Sequence, residues 1–344
     1  MLLFVDEGNF MLRFLSAVLL SLMISPVFAD CSSSNLKGVN LSGAEYNSSK
    51  VPGILFKEYV YPAEQDLAYF ANAGATAIRL PVLWERMQPE LNSPLNQQEM
   101  KHIQQVVETA RKYGLCIVLD VHNYGSYRGS AIGTEQIPVT AFVDFWRRTA
   151  AYFKDDKYVA FGLMNEPHVV PVDQWALIAN RVLQTLRTAG VSNLVLVPGG
   201  RWSGVHDWFA GSGGAVNALA LANIRDPLGR MVLEVHQYAD ADSSGTHSTC
   251  VEPERLKKVF ASLTQWAREH RQKLFLGEFG VAANEDCLTD LRVMLDGVKD
   301  KSVWQGWAYW TAGRWIGSNY PFSVQPQSGI DTVQMTVLRK YLGD

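Results

Sequence analysis

Two glutamates stand where short apolar runs of the sequence break off. The stretch 158–164 is almost wholly apolar, as a strand buried on both faces should be, and it runs into Asn165-Glu166-Pro167. Proline cannot continue a ladder, so a carboxylate sits where a buried strand opens into a loop, with an amide beside it. Much later, Leu274-Phe275-Leu276-Gly277-Glu278-Phe279-Gly280 repeats the plan, with one glutamate between glycines at the end of an apolar run. Carboxylates at two strand ends are what cleavage of a glycosidic bond requires. One donates a proton to the leaving oxygen, and the other attacks the sugar carbon or activates a water.

The elements that must position such a pair alternate along the chain. Apolar strand candidates fall at 36–41, 75–82, 115–122, 158–164, 193–198, 231–238, 273–279 and 303–310. Amphipathic helices fall between them. Met100, Ile103, Val106, Val107, Ala110 and Tyr113 recur at helical spacing, as do Phe142, Phe145, Trp146, Thr149 and Phe153. Trp175, Ile178, Val182 and Leu186 form a third stripe, and Leu256, Val259, Phe260, Leu263 and Trp266 a fourth. All read as core-facing. Eight strands alternating with helices predict an α/β fold, a single-domain (β/α)8 TIM barrel over 30–344. A doubly wound open sheet is the alternative, but no G-x-G-x-x-G follows the first strand to support a dinucleotide site. Neither a linker nor an internal repeat divides the chain.

In such barrels active sites form at the C-terminal ends of the strands. Polar or aromatic residues stand at six of these ends: Arg79; Asp120, His122, Asn123 and Tyr124; Asn165 and Glu166; Glu234, His236 and Tyr238; Glu278; and Trp307 to Trp310. Each alone has a packing explanation: Arg79 could pair with a surface acid and either histidine could be a satisfied core group. Burying so many polar groups together without a use is costly. Asp120 and Glu234 share strand parity with His122 and His236, and are read as partners for a neighbouring basic group. Glu58 and Glu135 lie in loops and are assigned nothing.

Composition narrows the class. The chain has 344 residues, 47% hydrophobic and 19% charged, which suits one large core. Its net charge of -3 excludes a general nucleic-acid binder, which would carry a basic excess. Residues 1–29 read as a secretory signal peptide: Arg13 precedes an apolar run too short to span a bilayer, and Val27-Phe28-Ala29 resembles a cleavage site. Asp6 and Glu7 do not suit a positive leader, which points to a start at Met11 rather than Met1. The protein is therefore expected outside the cytoplasm, extracellular or periplasmic, with no membrane attachment after cleavage. Of the four cysteines, Cys250 and Cys287 lie in polar loop-like sequence and are the pair expected to form a disulfide. Cys116 lies inside an apolar strand and is expected to be a free core thiol.

The ordered set Ile-Arg-Leu-Pro, Asp-Val-His-Asn-Tyr, Leu-Met-Asn-Glu-Pro, Val-His-Gln-Tyr, Gly-Glu-Phe-Gly and Ala-Tyr-Trp-Thr-Ala-Gly resembles glycoside hydrolase family 5, and within it the secreted endo-β-1,4-glucanases. The resemblance runs from about Gly38 to the end of the chain. It implies a retaining mechanism with Glu166 as general acid/base and Glu278 as nucleophile. By the same resemblance Arg79 orients Glu278, and Asn165 binds the sugar 2-hydroxyl at the cleavage point. His122 holds other hydroxyls of that sugar and Trp310 is its stacking floor. His236 touches the acid/base, and Tyr238 bonds the nucleophile. It also implies carboxyls roughly 5–5.5 Å apart and no metal or organic cofactor. The partner is a β-glucan polysaccharide or oligosaccharide, bound by a monomer.

Further aromatics read as sugar subsites. Trp315 follows Trp310 by five residues, where similar enzymes often have two adjacent tryptophans; here the pair is Trp315-Ile316. Trp202, after the fifth strand, is the candidate platform on the aglycone side, and Asn123 and Tyr124 are candidate contacts on the glycone side. Competing functions are a related β-glycanase acting on mannan, xyloglucan or mixed-linkage glucan, and a non-catalytic carbohydrate-binding barrel. The intact glutamate pair disfavours the latter. A metal-dependent hydrolase lacks its usual His-x-His in the first strand, and a serine esterase its G-x-S-x-G elbow.

Overall fold

Parallel strands buried on both faces need apolar residues at nearly every position, and eight such runs build the frame. In the computed structural model, which describes residues 30–211, 214–317 and 319–343, they are β1 (Leu36–Leu41), β2 (Ala77–Val82), β3 (Cys116–Val121), β4 (Val159–Gly162), β5 (Val195–Pro198), β6 (Met231–His236), β7 (Leu274–Glu278) and β8 (Trp304–Ala312). Each pairs in parallel with its sequence neighbours, and β8 closes on β1, giving a single-domain TIM barrel. β4 is shorter than its apolar run. Beyond Gly162 the ladder becomes irregular, yet Leu163 N donates to Leu196 O (3.0 Å) and Asn165 N to Val121 O (2.7 Å). The chain is thus pinned to both neighbours up to Glu166.

The main helices lie outside the barrel with their apolar stripes turned in. α1 (Gln97–Lys112) buries Met100, Ile103, Val106, Val107 and Ala110, and is capped by Asn96. α2 (Val139–Phe153) buries Phe142, Phe145, Trp146 and Thr149. α3 (Val172–Thr188) and α4 (Pro253–Glu269) do the same with Trp175 and Trp266. Seven of the ten tryptophans are buried, so the aromatic surplus is mostly core. The three that are not, Trp202, Trp310 and Trp315, all belong to the ends of β5 and β8.

Two disulfides are present, Cys31–Cys116 and Cys250–Cys287. The first corrects the expectation of a free thiol at Cys116. That residue opens β3 at the N-terminal mouth of the barrel, where the segment before β1 crosses: Cys31 N donates to Lys157 O at 2.7 Å, and the two Cα atoms stand 5.0 Å apart. Both cysteines join the apolar plug formed by Leu36, Ala77, Val118, Leu196 and Phe275. An apolar neighbourhood told of burial, not of a partner 85 residues away. The proposed leader, residues 1–29, lies outside the described residues. Among those described, no helix is long and apolar enough to cross a membrane.

One buried acid has no role in the barrel's ion pairs. Asp290, on α5 (Glu285–Gly297), is fully buried and neither of its oxygens has a hydrogen-bond partner. Burial, with the charges of Glu252 and Asp286 adding, pushes it up to about 7. The folded chain therefore keeps a proton that the unfolded chain has lost. Stability is complete below the ordinary aspartate range and falls as pH rises toward 7. Asp290→Asn, which mimics the protonated form, is expected to raise Tm by a few degrees at pH 8 and much less at pH 4.5. Calorimetry at the two pH values tests this; an equal gain at both would show that Asp290 does not titrate between them.

Candidate active site

Arg79 is the centre of the site, and the barrel register explains why. It sits on β2 opposite Asn40 of β1 and Val118 of β3, with its guanidinium wholly buried. A buried guanidinium needs acceptors and opposite charge around it. Nη1 donates to Asn40 Oδ1 (2.9 Å) and Glu278 Oε1 (2.8 Å). Nη2 donates to Asn165 Oδ1 (2.8 Å), and ion pairs without hydrogen-bond alignment join Nη2 to Asp120 Oδ1 (3.1 Å) and Nε to Glu234 Oε1 (2.7 Å). One cation thus links the ends of β1, β3, β4, β6 and β7. Burial works against its charge, but Asp120, Glu234, Glu278 and Glu166 more than offset this and raise its pKa. Gly277 is required next to it: a Cβ there would lie 2.1 Å from Glu234 Oε1.

Glu278 ends β7 and is buried. Tyr238 donates to its Oε2 at 2.9 Å, while Arg79 holds Oε1. Burial raises the Glu278 pKa above the ordinary glutamate value; His236 and Arg79 pull it down, and Glu166 pushes it up. Glu166 follows β4 in a left-handed conformation (φ 42°), unusual for a residue with a side chain and common at functional sites. Its Oε1 lies 2.7 Å from His236 Nδ1, which is 3.8 Å from Glu278 Oε2. One oxygen of Glu166, one of Glu278 and a ring nitrogen of His236 all lie within 4.8 Å of one another. Burial disfavours charge on His236, but Glu278, Glu166 and Glu234 push its pKa up to about 10. Both ring nitrogens then carry protons near neutrality, and Nε2 faces Glu234 at 3.3 Å.

The wall beside Glu278 is built from β3 and β8. His122 Nδ1 lies 2.8 Å from Asp120 Oδ2, and its Nε2 is 3.3 Å from Asn165 Nδ2 and 3.2 Å from the Tyr124 hydroxyl. Burial lowers the His122 pKa, but the bond to Asp120 and its charge outweigh this and raise it. Trp310 lies nearly parallel to the His122 ring (14°, centroids 5.5 Å), its indole N–H donating to the Tyr320 hydroxyl at 3.1 Å.

A cavity of about 920 Å³ contains Glu166, Glu278, His236, Tyr238, Trp310 and Trp202. A second, of about 700 Å³, shares His122, Tyr124 and Trp310 with it and continues over Asn123, Glu45, Tyr46 and Glu85. Together they form a groove across the mouth of the barrel. Trp202 is displayed on three consecutive left-handed residues, Arg201 to Ser203, and is 50% exposed. His168 stacks flat against it, centroids 3.5 Å apart. Trp315 is not among the residues that line either cavity. For oligosaccharides of the β-glucan that the sequence resemblance implies, Trp202→Ala is expected to raise KM severalfold. Trp315→Ala is expected to leave KM and the product ratio unchanged, which steady-state kinetics with product chromatography will show.

Arg79, Asp120, His122, Asn123, Tyr124, Asn165, Glu166, Trp202, Glu234, His236, Tyr238, Glu278 and Trp310 meet in this groove or in the ion-pair network under it, whereas Trp315 lines neither cavity, Trp307 packs on Phe279 and the Tyr309 hydroxyl bonds Val281. Asp120 and Glu234 are partners of Arg79 and of the two histidines, as their strand parity suggested. Sequence reasoning missed Asn40, although it too stands at a strand end; its Nδ2 bridges to Gly277 O (2.9 Å) and Ala308 O (3.1 Å). It also missed Tyr320, His168, Glu45 and Glu85. Tyr320, His168 and Glu45 come from loops and Glu85 from the one-turn helix Trp84–Met87, too short for periodicity to mark a side chain's direction.

The whole chain can be set beside known proteins at this point. The sequence profile of the cellulase family, glycosyl hydrolase family 5, matches residues 30–313. The probable endo-beta-1,4-glucanase B of Neosartorya fischeri is 33% identical over 313 residues, covering 89% of this chain and 91% of that protein. The crystal structure of the endo-beta-1,4-glucanase Xac0029 from Xanthomonas axonopodis pv. citri superposes with a TM-score of 0.88 at 43% identity, covering 90% of this chain and 98% of the other. XacCel5A in complex with cellopentaose superposes equally well, with a TM-score of 0.88 at 47% identity over 89% of this chain and 99% of that one. With the matching profile spanning most of the barrel, the chain belongs to the cellulase family, glycosyl hydrolase family 5.

Proposed function

We propose that this protein is a secreted, monomeric endo-β-1,4-glucanase that cleaves internal bonds of cellulose or related β-glucans with retention of configuration. The observation that carries the mechanism is the approach of a Glu166 oxygen to a Glu278 oxygen within 4.8 Å. That spacing suits direct attack by one carboxylate; an inverting pair stands about 6.5–9.5 Å apart to admit a water. Glu278 Oε2 attacks the anomeric carbon while Glu166 gives its proton to the departing glycosidic oxygen. A glycosyl ester forms and the C–O bond to the leaving chain breaks. Glu166, now a carboxylate, takes a proton from a water that attacks the same carbon, and Glu278 leaves as carboxylate. Arg79 and Tyr238 hold the nucleophile in one rotamer and stabilise its charge when it is released. His236 engages Glu166 Oε1 and leaves Oε2 for the glycosidic oxygen.

The leaving chain must extend on the side of Glu166, over Trp202. The cavity that shares Trp310 but contains neither glutamate then takes the glycone side. A groove continued on both sides of the carboxylates fits attack within a chain. The relatives above are endoglucanases, and one of them was crystallised with cellopentaose. Two disulfides and the leader-like 1–29 fit an oxidising compartment. Product profiles on carboxymethyl cellulose, barley β-glucan, xyloglucan and mannan, with NMR of the first-formed anomer, test the reading. A β-anomer released from mid-chain cuts of β-1,4-glucan is expected. An α-anomer overturns retention, and a preference for mannan overturns the substrate.

A further inference from the structure

Residues 240–247, beyond Tyr238 in the segment after β6, supply none of the groups used above, yet they form a wall of the cleft. Asp242, Ser243, Ser244, Gly245 and Thr246 line the cavity that contains the two glutamates. No helix or strand holds this segment. Its organising group is Asp240, which is buried. Asp240 Oδ1 accepts from Gly245 N (3.1 Å), and Oδ2 accepts from Ser244 Oγ (3.1 Å), Thr246 N (3.0 Å) and His247 N (3.1 Å). His247 Nδ1 lies 3.4 Å from the same oxygen and 3.5 Å from Asp242. The base of the turn is closed by Val251 N on Ala239 O (2.8 Å), by Asn284 Nδ2 on Ser248 O (2.9 Å), and by Cys250–Cys287. A carboxylate that collects this many donors from one short segment sets that segment's shape.

That shape reaches the reaction through one contact. Gly245 is left-handed (φ 73°) and lies against the Tyr238 ring; a Cβ there would be 2.8 Å from Cδ1 and Cε1 and 2.9 Å from Cγ. Phe322 lies nearly parallel to the same ring (22°, centroids 6.0 Å). The ring so held carries the hydroxyl that donates to Glu278 Oε2. We propose that Asp240 is a positioning residue: by folding the 240–247 turn it packs Gly245 against Tyr238, and so sets the hydrogen bond that Tyr238 makes to Glu278. The inference rests on Glu278 being the nucleophile.

The test is a double-variant cycle with a pH readout. Around Glu278 stand Arg79 from β2, His122 after β3, Glu166 after β4 and His236 from β6, none of which the variants alter. Asp240→Ala is expected to lower kcat on cellopentaose by about 10- to 100-fold, the cost of losing one hydrogen bond to a charged group, with KM little changed. The acid limb of the kcat profile should move to higher pH, because the ionised nucleophile loses a donor. Tyr238→Phe should show the same two effects. The double variant should be no worse than the weaker single, since both act through one bond. Gly245→Ala, which crowds the ring while leaving Asp240 in place, should also lower kcat and move the limb, and it decides the matter if Asp240→Ala does not fold. Additive losses in the double variant, a Tm drop with an unmoved acid limb, or a Gly245→Ala enzyme like wild type would each overturn the inference. Mass spectrometry of the trapped glycosyl ester separates the two levels. An ester on a residue other than Glu278 overturns the nucleophile assignment and this inference together. With the ester on Glu278, additivity overturns this inference alone.

Discussion

Replacing Glu278 by glutamine is expected to lower kcat by about 10⁴- to 10⁶-fold, the scale on which removal of a nucleophile is felt. The amide keeps the shape and can still accept from Arg79 or Tyr238 through its oxygen, so the fold should survive and circular dichroism should be unchanged. What it lacks is the negative charge that makes a carboxylate oxygen nucleophilic enough to form the glycosyl ester. Glu166→Ala should lose comparably on polysaccharide but retain partial activity on aryl glycosides with good leaving groups, which need little proton donation. With Glu166 shortened, azide can enter beside the ester on Glu278 and should give a β-glycosyl azide. A folded Glu278→Gln enzyme with near wild-type turnover would sink the assignment, and an α-azide would argue for inversion.

Arg79→Lys should have the next largest effect. The charge is kept, but lysine brings three donors to five positions and cannot span from Glu234 to Glu278. Two or more of Asp120, Glu234, Asn165 and Asn40 would lose their partner in a buried setting. Leaving buried charge without its partner costs about 3–5 kcal/mol. A urea titration should show a loss of that order. Among molecules that remain folded, kcat should fall by about 10²- to 10³-fold, because the nucleophile loses both a donor and its fixed rotamer. KM should change less, since Arg79 is wholly buried and does not line the groove. Unchanged stability would mean that the carboxylates find other partners, and the central place given to Arg79 would be wrong.

Much of this site was legible in the chain because a parallel barrel turns sequence into position. A strand buried on both faces must be apolar along its length, so a polar residue at its C-terminal end stands out. Arg79, His122, Glu166, His236 and Glu278 were all visible for that reason. Even the pairing of Asp120 and Glu234 with basic neighbours followed from their alternation with His122 and His236. Asn40 obeys the same rule and was overlooked because its strand was read for a metal motif it does not have.

What the sequence determined by itself is therefore the barrel, its strands to within a few residues, and the set of groups at its mouth. Local periodicity and composition suffice for these, because burial acts residue by residue. Tertiary structure decided which groups touch. Cys116 looked like a core thiol until the barrel's floor brought Cys31 to it from 85 residues away. Trp315 reads as a sugar platform in the sequence yet lines neither cavity, whereas loops place Tyr320 and His168 in the groove. The turn after β6 reads as a polar loop, and only the tertiary structure shows it folded around Asp240 with Gly245 against the Tyr238 ring, whose hydroxyl bonds Glu278. Such contacts depend on distances between segments remote in the chain, and no local pattern of residue types encodes those distances.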